Sequence, residues 1–290
     1  MTKNIKKYNF KEGLPQEFEI VELAEFYKGF KKMITTAHRA RFYHIIWFQK
    51  GNPIHSVDFN PVSIKANTIL FLNKDTVHHF DNKNSFDGKA ILFTDSFFCK
   101  TEADCKFLRD TILFNNLFPV SQINVGHQAK LFESVFQLMT DELQNAKDSS
   151  QDVILQNLLH NLLLLSERER RKQNIGELKK GPDLDYVLLF KDALDVNYKS
   201  KKQVSFYAEK ILITEKRLNQ ATTRLLSKTP KEFINDRVML EAKRLLAHTT
   251  ESIKAIGFDL GFDEPTNFIK YFKKHSSYTP IEFRKKNNRD

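Results

Sequence analysis

A seven-residue pattern occurs twice in the last third of the chain, and it limits the fold of that third more than any other feature. Ser227-Lys228-Thr229-Pro230-Lys231-Glu232-Phe233 and Ser277-Tyr278-Thr279-Pro280-Ile281-Glu282-Phe283 share Ser-x-Thr-Pro-x-Glu-Phe at an offset of 50 residues. In each copy Thr is placed to cap a helix, Pro sits at the first helical position, and Glu falls in the first turn, where its charge suits the helix dipole. Each copy also follows a helix-like segment. Two equivalent helical units are predicted.

Upstream of each copy lies the pattern of two short helices joined by a tight turn. In the first unit Val204 to Ile211 precedes Thr214, which can cap a helix with Leu218, Thr222 and Leu225 on one face. In the second, Ile253 to Leu260 precedes Gly261-Phe262-Asp263-Glu264-Pro265 and a helix with Phe268, Tyr271 and Phe272 inward. These read as helix-turn-helix units. Opposite the buried face, Lys216, Asn219, Gln220 and Thr223 form one stripe, and Thr266, Asn267, Lys270, Lys273 and Lys274 form its counterpart. Lys can address guanine acceptors, and Asn or Gln can pair bidentately with adenine. A polar stripe on an isolated helix is ordinarily solvated surface; two in a repeat point to double-stranded DNA.

The charge balance agrees. The chain of 290 residues has 46 Lys+Arg against 36 Asp+Glu, a formal net charge of +10, of which residues 183–290 hold +6. A basic field attracts a polyanion. With 41% hydrophobic residues and only 9 Gly the composition is that of a folded protein rather than a disordered or fibrous one. The length allows two cores. The N-terminus, Met1 to Lys7, leads into no apolar run of signal-peptide length, and no stretch of sequence is apolar for long enough to span a bilayer. A cytoplasmic protein with no membrane association is expected. Cys99 and Cys105 lack Cys-x-x-Cys or Cys/His spacing and read as reduced structural thiols.

Earlier in the chain the period is different. Phe42–Phe48, Ser56–Phe59, Thr68–Leu72, Val77–Phe80 and Ala90–Thr94 are short β-branched and aromatic runs separated by turn residues, which predicts a small antiparallel sandwich or barrel. From about His127 helical spacing returns in Leu131, Phe132, Val135, Phe136 and Met139, and again in Leu155, Leu158, Leu159, Leu162 and Leu163. The second leucine stripe either covers the barrel or faces the same helix of a second subunit; the homodimer is the expectation adopted. Asn174 to Pro182, with two Gly and one Pro and no periodicity, reads as a linker.

Three stretches of the last third match a family. Arg237-x-x-x-x-Ala242-x-x-Leu245-Leu246, Ile253-x-x-Ile256-Gly257-x-x-x-Gly261-Phe262-x-x-Pro265-Thr266-x-Phe268-x-x-x-Phe272-Lys273-Lys274 and Thr279-Pro280-x-Glu282-Phe283-Arg284 closely resemble the C-terminal domain of the AraC/XylS regulators. The resemblance implies seven helices, a rigid central helix across Lys231 to Ala247, and two recognition helices set into successive major grooves. Departures from the family pattern are Gly257 where Ala is usual, Ser227 and Ser277 where Gly is usual, and Thr222 where an apolar aromatic is common. The segment Phe42 to Phe93 resembles, more loosely, the cupin-like sensory barrel of the same family, which implies an effector pocket and a dimer made by the helices that follow.

Within that barrel His38, His44, His55, His78 and His79 invite a metal, but the His-x-His, carboxylate and third His of enzymatic cupins are missing. No metal, cofactor or catalysis is expected. Arg39, Arg41, Tyr43, Ile45 and Trp47 alternate onto one face of a regular strand, and with His79 they are the candidate effector contacts, suited to a sugar or an anionic small molecule if that face is inward. Aromatics filling a core with Arg turned outward is the alternative, and the abundance of Phe allows a fatty acid.

The expectation is thus an α+β protein of several domains. A cupin-like barrel spans 1–126, a helical dimerisation segment 127–173, a linker 174–182, and an all-α domain of two helix-turn-helix units 183–290. Its function is sequence-specific, non-enzymatic transcription regulation under a small-molecule effector. The rivals are a regulator that acts by abundance alone and a cupin enzyme fused to a DNA-binding domain.

Overall fold

The computed structural model describes residues 4–80, 85–115, 117, 120–173 and 181–287. Two compact units divide the chain, one of residues 6–177 and one built on residues 178–290.

The first unit starts with β1 (Lys6–Tyr8), β2 (Phe18–Glu22), α1 (Leu23–Ile34) and β3 (His38–Ala40). The runs read from the sequence correspond to β4 (Tyr43–Gly51), β5 (Ile54–Val57), β7 (Thr68–Leu72), β8 (His78–His79) and β9 (Phe86–Phe93), and β6 (Asn60–Ser63), which no run in the sequence marks, lies between β5 and β7. Two short helices, α2 (Asp95–Phe98) and α3 (Glu102–Asp110), lead to β10 (Ser121–Asn124), and α4 (Ala129–Gln144) and α5 (Gln151–Lys172) complete the unit. Two five-stranded sheets result, in the orders β1-β3-β8-β5-β6 and β10-β7-β4-β9-β2.

The register of the second sheet explains why β4 is apolar on both faces. Opposite residues of an antiparallel pair point the same way. Tyr43, Ile45 and Trp47 therefore share a face with Phe93 and Ile91 of β9 and with Phe71 and Ile69 of β7. That face packs under the helices, in a core with Phe132, Phe136, Leu155, Leu159, Leu162 and Leu163. The alternate residues Ile46 and Phe48, with Leu70, Leu72 and Ala90, form a second core with Val57 and Val62 of the other sheet. Helices on one side and a facing sheet on the other demand apolar residues at every position of β4, so alternation cannot tell inside from outside.

Helix ends follow local chemistry. Thr101 and Asp104 cap α3 reciprocally, and the Asp148 carboxylate accepts from the backbone N–H groups of Ser150 and Gln151 at 2.9 Å each as α5 begins. Among the described residues no helix is long and apolar enough to cross a membrane.

Among the described residues the second unit has seven helices: α6 (Pro182–Asn197), α7 (Val204–Lys210), α8 (Glu215–Leu226), α9 (Pro230–His248), α10 (Ile253–Asp259), α11 (Pro265–His275) and α12 (Pro280–Asn287). Both copies of the repeated motif form the same cap. Thr229 N–H donates to Glu232 Oε2 at 2.7 Å while Glu232 N–H donates to Thr229 Oγ1 at 3.3 Å, and the Thr279/Glu282 pair repeats both distances. The central α9 buries Ile234, Val238, Ala242 and Leu246, in one core with Leu218 of α8 and Phe268 and Phe272 of α11. One helix thus packs both helix-turn-helix units.

The departures from the family pattern have local explanations. Ser227 ends α8 in the left-handed region at φ 53°, a conformation glycine reaches at less cost. The buried Thr222 hydroxyl donates to the Asn219 carbonyl at 3.3 Å, so its polar atom is satisfied. A Cβ on Gly257 would lie 3.1 Å from Phe268 Cβ, so the glycine lets α10 and α11 approach closely.

Candidate nucleic-acid interface and effector cavity

In the first helix-turn-helix, Thr214 caps α8 by accepting from Arg217 N–H at 3.1 Å. The helix then buries Leu218, Ala221 and Thr222 and exposes Lys216, Asn219, Gln220 and Thr223. Among the described residues the side chains of those four make no hydrogen bond or ion pair. They form one polar ridge over the N-terminal and middle turns, where a recognition helix meets base edges. Their neighbours Arg217 and Arg224 are instead both engaged by Asp183 at the start of α6, Arg224 at 2.8 Å. The two carboxylate contacts hold α8 to α6 and leave the ridge between them open.

The second unit repeats the arrangement. Pro265 opens α11, Phe268 and Phe272 are buried, and Thr266, Asn267, Lys270, Lys273 and Lys274 are exposed. Its turn depends on Gly261, which takes φ 73° and carries no side chain where a Cβ would lie 1.9 Å from the Lys199 carbonyl oxygen. Lys202 Nζ secures that turn by donating to the carbonyls of Lys199 and Leu260 at 2.9 and 2.7 Å. The sequence reading singled out neither Lys202 nor Asp183, because both act between segments distant in sequence.

The candidate effector contacts are placed differently from the expectation. Arg39 belongs to β3 in one sheet and Tyr43 and Trp47 to β4 in the other, with Arg41 in the break between them, so they do not line one strand face. Tyr43 stacks on Phe93 and donates to Asp95 Oδ1 at 2.9 Å, and Trp47 packs on Phe136 of α4 with ring centroids 5.2 Å apart. His79 pairs with Ser56, on the face opposite His78. None of these residues lines the cavity that opens between the two sheets.

The cavity itself, of about 280 Å³, is lined by the opposite phase of β4, His44 and Ile46, together with α1, residues 8–11 and parts of β2, β3, β8 and β9. Its wall is mainly apolar, with Phe26, Phe30, Met33, Phe42, Phe80 and Leu92 prominent. His38 and His78 complete it from the other sheet. Phe26, Phe30, Met33 and Ile34 of α1 are at helical spacing in the sequence, a signal that could have located this wall.

Four imidazoles cluster there. His78 lies with ring centroids 4.4 Å from His38, 4.9 Å from His44 and 5.3 Å from His55, and His55 Nε2 is 3.1 Å from His78 Nδ1. Burial pulls all four below the usual histidine range, His44 to about 3, with neighbouring imidazoles acting in the same direction, so the cluster is neutral. No group of His, Cys, Asp and Glu among the described residues has the geometry to hold a metal ion.

The expected dimer stripe also lies elsewhere. Leu155, Leu159, Leu162 and Leu163 are fully buried in the first unit's own core, and Leu158 is partly buried against it. This is the covering role that the sequence left open: a helix over a two-faced sheet must present its most apolar side to the sheet. The helical pattern shows a buried face and does not say what buries it. The opposite side of α5 still shows Ile154 and Leu164 at 40% and 46% exposure, and α4 exposes Leu131 and Leu138. The linker expected over 174–182 lies, for residues 174–180, outside the described residues.

Comparison with known proteins agrees with both units. A model described as an AraC-like ligand binding domain matches residues 27–163, and a helix-turn-helix domain model matches residues 207–286. The transcriptional activator RhaS of Pectobacterium carotovorum subsp. carotovorum (strain PC1) is 22% identical over 256 residues, covering 85% of this chain and 86% of the relative. The lactose operon transcription activator of Staphylococcus xylosus is 25% identical over 166 residues, 57% of this chain and 58% of the relative. Among solved structures, ToxT from Vibrio cholerae aligns over 93% of this chain and 98% of its own, at 12% identity and a TM-score of 0.45. With an AraC-like ligand binding domain followed by paired helix-turn-helix units, the chain belongs to the AraC/XylS family of DNA-binding transcription regulators.

Proposed function

We propose that this regulator works as a cytoplasmic homodimer that reads two successive major grooves with α8 and α11, and that a small molecule in the cavity between its N-terminal sheets adjusts that binding. The observation that carries the DNA reading is the two-sidedness of both helices. Each buries its apolar residues in one shared core and keeps every candidate contact, Lys216, Asn219, Gln220 and Thr223 on α8 and Thr266, Asn267, Lys270, Lys273 and Lys274 on α11, exposed. The effector reading is supported by a cavity of about 280 Å³, near the lower end of the range for small-molecule sites. Its apolar wall favours an apolar ligand body over the sugar or anion that Arg39 and Arg41 suggested. A cavity of this size also favours effector control over action by abundance alone, and the protein is read as a regulator without catalysis. Two copies are expected to meet through the outer side of α4 and α5, and a cytoplasmic location follows from the target.

Asn219→Ala or Gln220→Ala should lower specific affinity by about 1 to 3 kcal/mol and relax preference at one base position. Lys273→Ala and Lys274→Ala should instead weaken binding on all sequences and reduce the salt slope by about one per lost phosphate contact. Binding titrations on operator and scrambled duplexes at several salt concentrations separate the two. Uniform weakening by the α8 substitutions would make them phosphate contacts, and an unchanged slope would remove the lysines from the interface.

A further inference from the structure

Three imidazoles, those of His38, His44 and His78, line the cavity, and polar atoms behind its wall are left without a partner by the fold. His44 Nδ1 and His78 Nε2 are buried and make no hydrogen bond among the described residues, although nearly all buried polar atoms in native proteins find one. Both side chains line the cavity, at 9% and 2% exposure.

The chemistry of that wall is specific. His38 Nδ1 is 2.9 Å from the Thr36 carbonyl oxygen, so it carries the proton and leaves His38 Nε2 an acceptor. Across the 3.1 Å between His55 Nε2 and His78 Nδ1 only one ring can donate. If His55 donates, His78 Nε2 carries a proton and is a donor; if His78 donates, its Nε2 is an acceptor. The cluster therefore presents an acceptor beside a site that adapts by a tautomer shift, and it bears no charge. The charged lining residues among those described are Lys11 and Glu19, which lie 3.7 Å apart on the solvent side, where each offsets the other. A ligand carboxylate would leave water for neutral imidazoles, and a ligand ammonium would meet the same neutral wall, both at high desolvation cost.

We infer that the cavity takes an uncharged amphiphile, an alcohol or phenol with an apolar body, whose hydroxyl donates to the imidazole of His38. The inference rests on reading the cavity as the effector site and adds the chemical class of the ligand. A hydroxyl is the smallest uncharged group that can donate to that acceptor, and the aromatic and aliphatic wall takes the rest of the molecule.

The test uses the full-length protein at about pH 8, where a fatty carboxylate is ionised. Decanol, nonyl methyl ether and decanoate are titrated by calorimetry, the ether having the same heavy atoms as the alcohol but no donor. Decanol should bind about tenfold more tightly than decanoate and severalfold more tightly than the ether. His38→Leu should bring decanol down to the level of the ether, and if that variant does not fold, the three-probe series on the wild type decides alone. Equal binding of decanol and ether overturns the hydroxyl assignment and leaves the cavity as an apolar effector site. Decanoate binding as tightly as decanol overturns it in favour of an anionic head. Binding of no probe removes the cavity reading beneath it.

Discussion

His38, His44, His55 and His78 are buried and neutral in the folded chain, and each would be protonated in an unfolded chain below the ordinary histidine pKa. Their folded values are depressed, so the unfolded state binds more protons below about pH 6.5, and stability falls as pH drops through that value toward the folded one, about 3 for His44. The groups facing them, Tyr8, His79, Lys11 and Glu19, do not reverse the sign, since the His79 charge acts in the same direction on His55 and His78. Between pH 7.5 and 5.5 the cluster should cost the first unit about 4 kcal/mol, about 1.4 from each of the three fully buried rings. Trp47 is the one tryptophan of the chain and lies in that unit. Its fluorescence during thermal unfolding should show a melting temperature that falls by several degrees; an unchanged midpoint would mean the histidines are not held neutral. The same residues show a limit of sequence reading. Five histidines were visible, but whether they meet and whether they ionise depend on two sheets bringing β3, β4, β5 and β8 together.

At the scale of elements, α5 separates two meanings of one leucine pattern. Leu159 is fully buried beneath the helix, whereas Ile154 and Leu164 stand on its outer side. Leu159→Glu should therefore leave the first unit unfolded or aggregated, because a buried, unpaired carboxylate is costly. Ile154→Glu should leave the fold intact and, if copies meet through this side, release monomers. Sedimentation velocity with a thermal melt checks both, and a folded Leu159→Glu monomer would restore the original stripe as the interface. The helical units of the last third were far more legible. Thr229/Glu232 and Thr279/Glu282 are local caps whose geometry is complete within four residues, so their spacing reports the structure directly. The three-residue β1 and β3 have no such local signature and exist because a neighbouring strand pairs with them.

For the whole molecule, the second unit has its own core, from Phe190 and Leu194 of α6 to Phe268 and Phe272 of α11. A fragment of residues 183–290 should therefore be soluble, helical, monomeric and able to bind a single site. On a paired operator at the same salt the full-length protein should bind far more tightly, because joining two domains makes the second contact intramolecular, at an effective concentration that reaches about millimolar for a short tether. Equal affinity of fragment and full-length chain on paired sites would show that the first unit does not couple two DNA-binding domains.

What the amino-acid order determined by itself was the local and the repeated. Capping pairs, the amphipathic second helix of each unit and the change from strand period to helix period all depend on residues a few positions apart, and the sequence contains both partners. What only the tertiary structure decided was which side of a two-sided element faces what. Strand β4 is apolar on both faces, and α5 is buried on one side and half apolar on the other, so neither pattern carries a direction. The direction came from the helices that cover Tyr43, Ile45 and Trp47, and from the facing sheet that turns His44 and Ile46 toward the cavity.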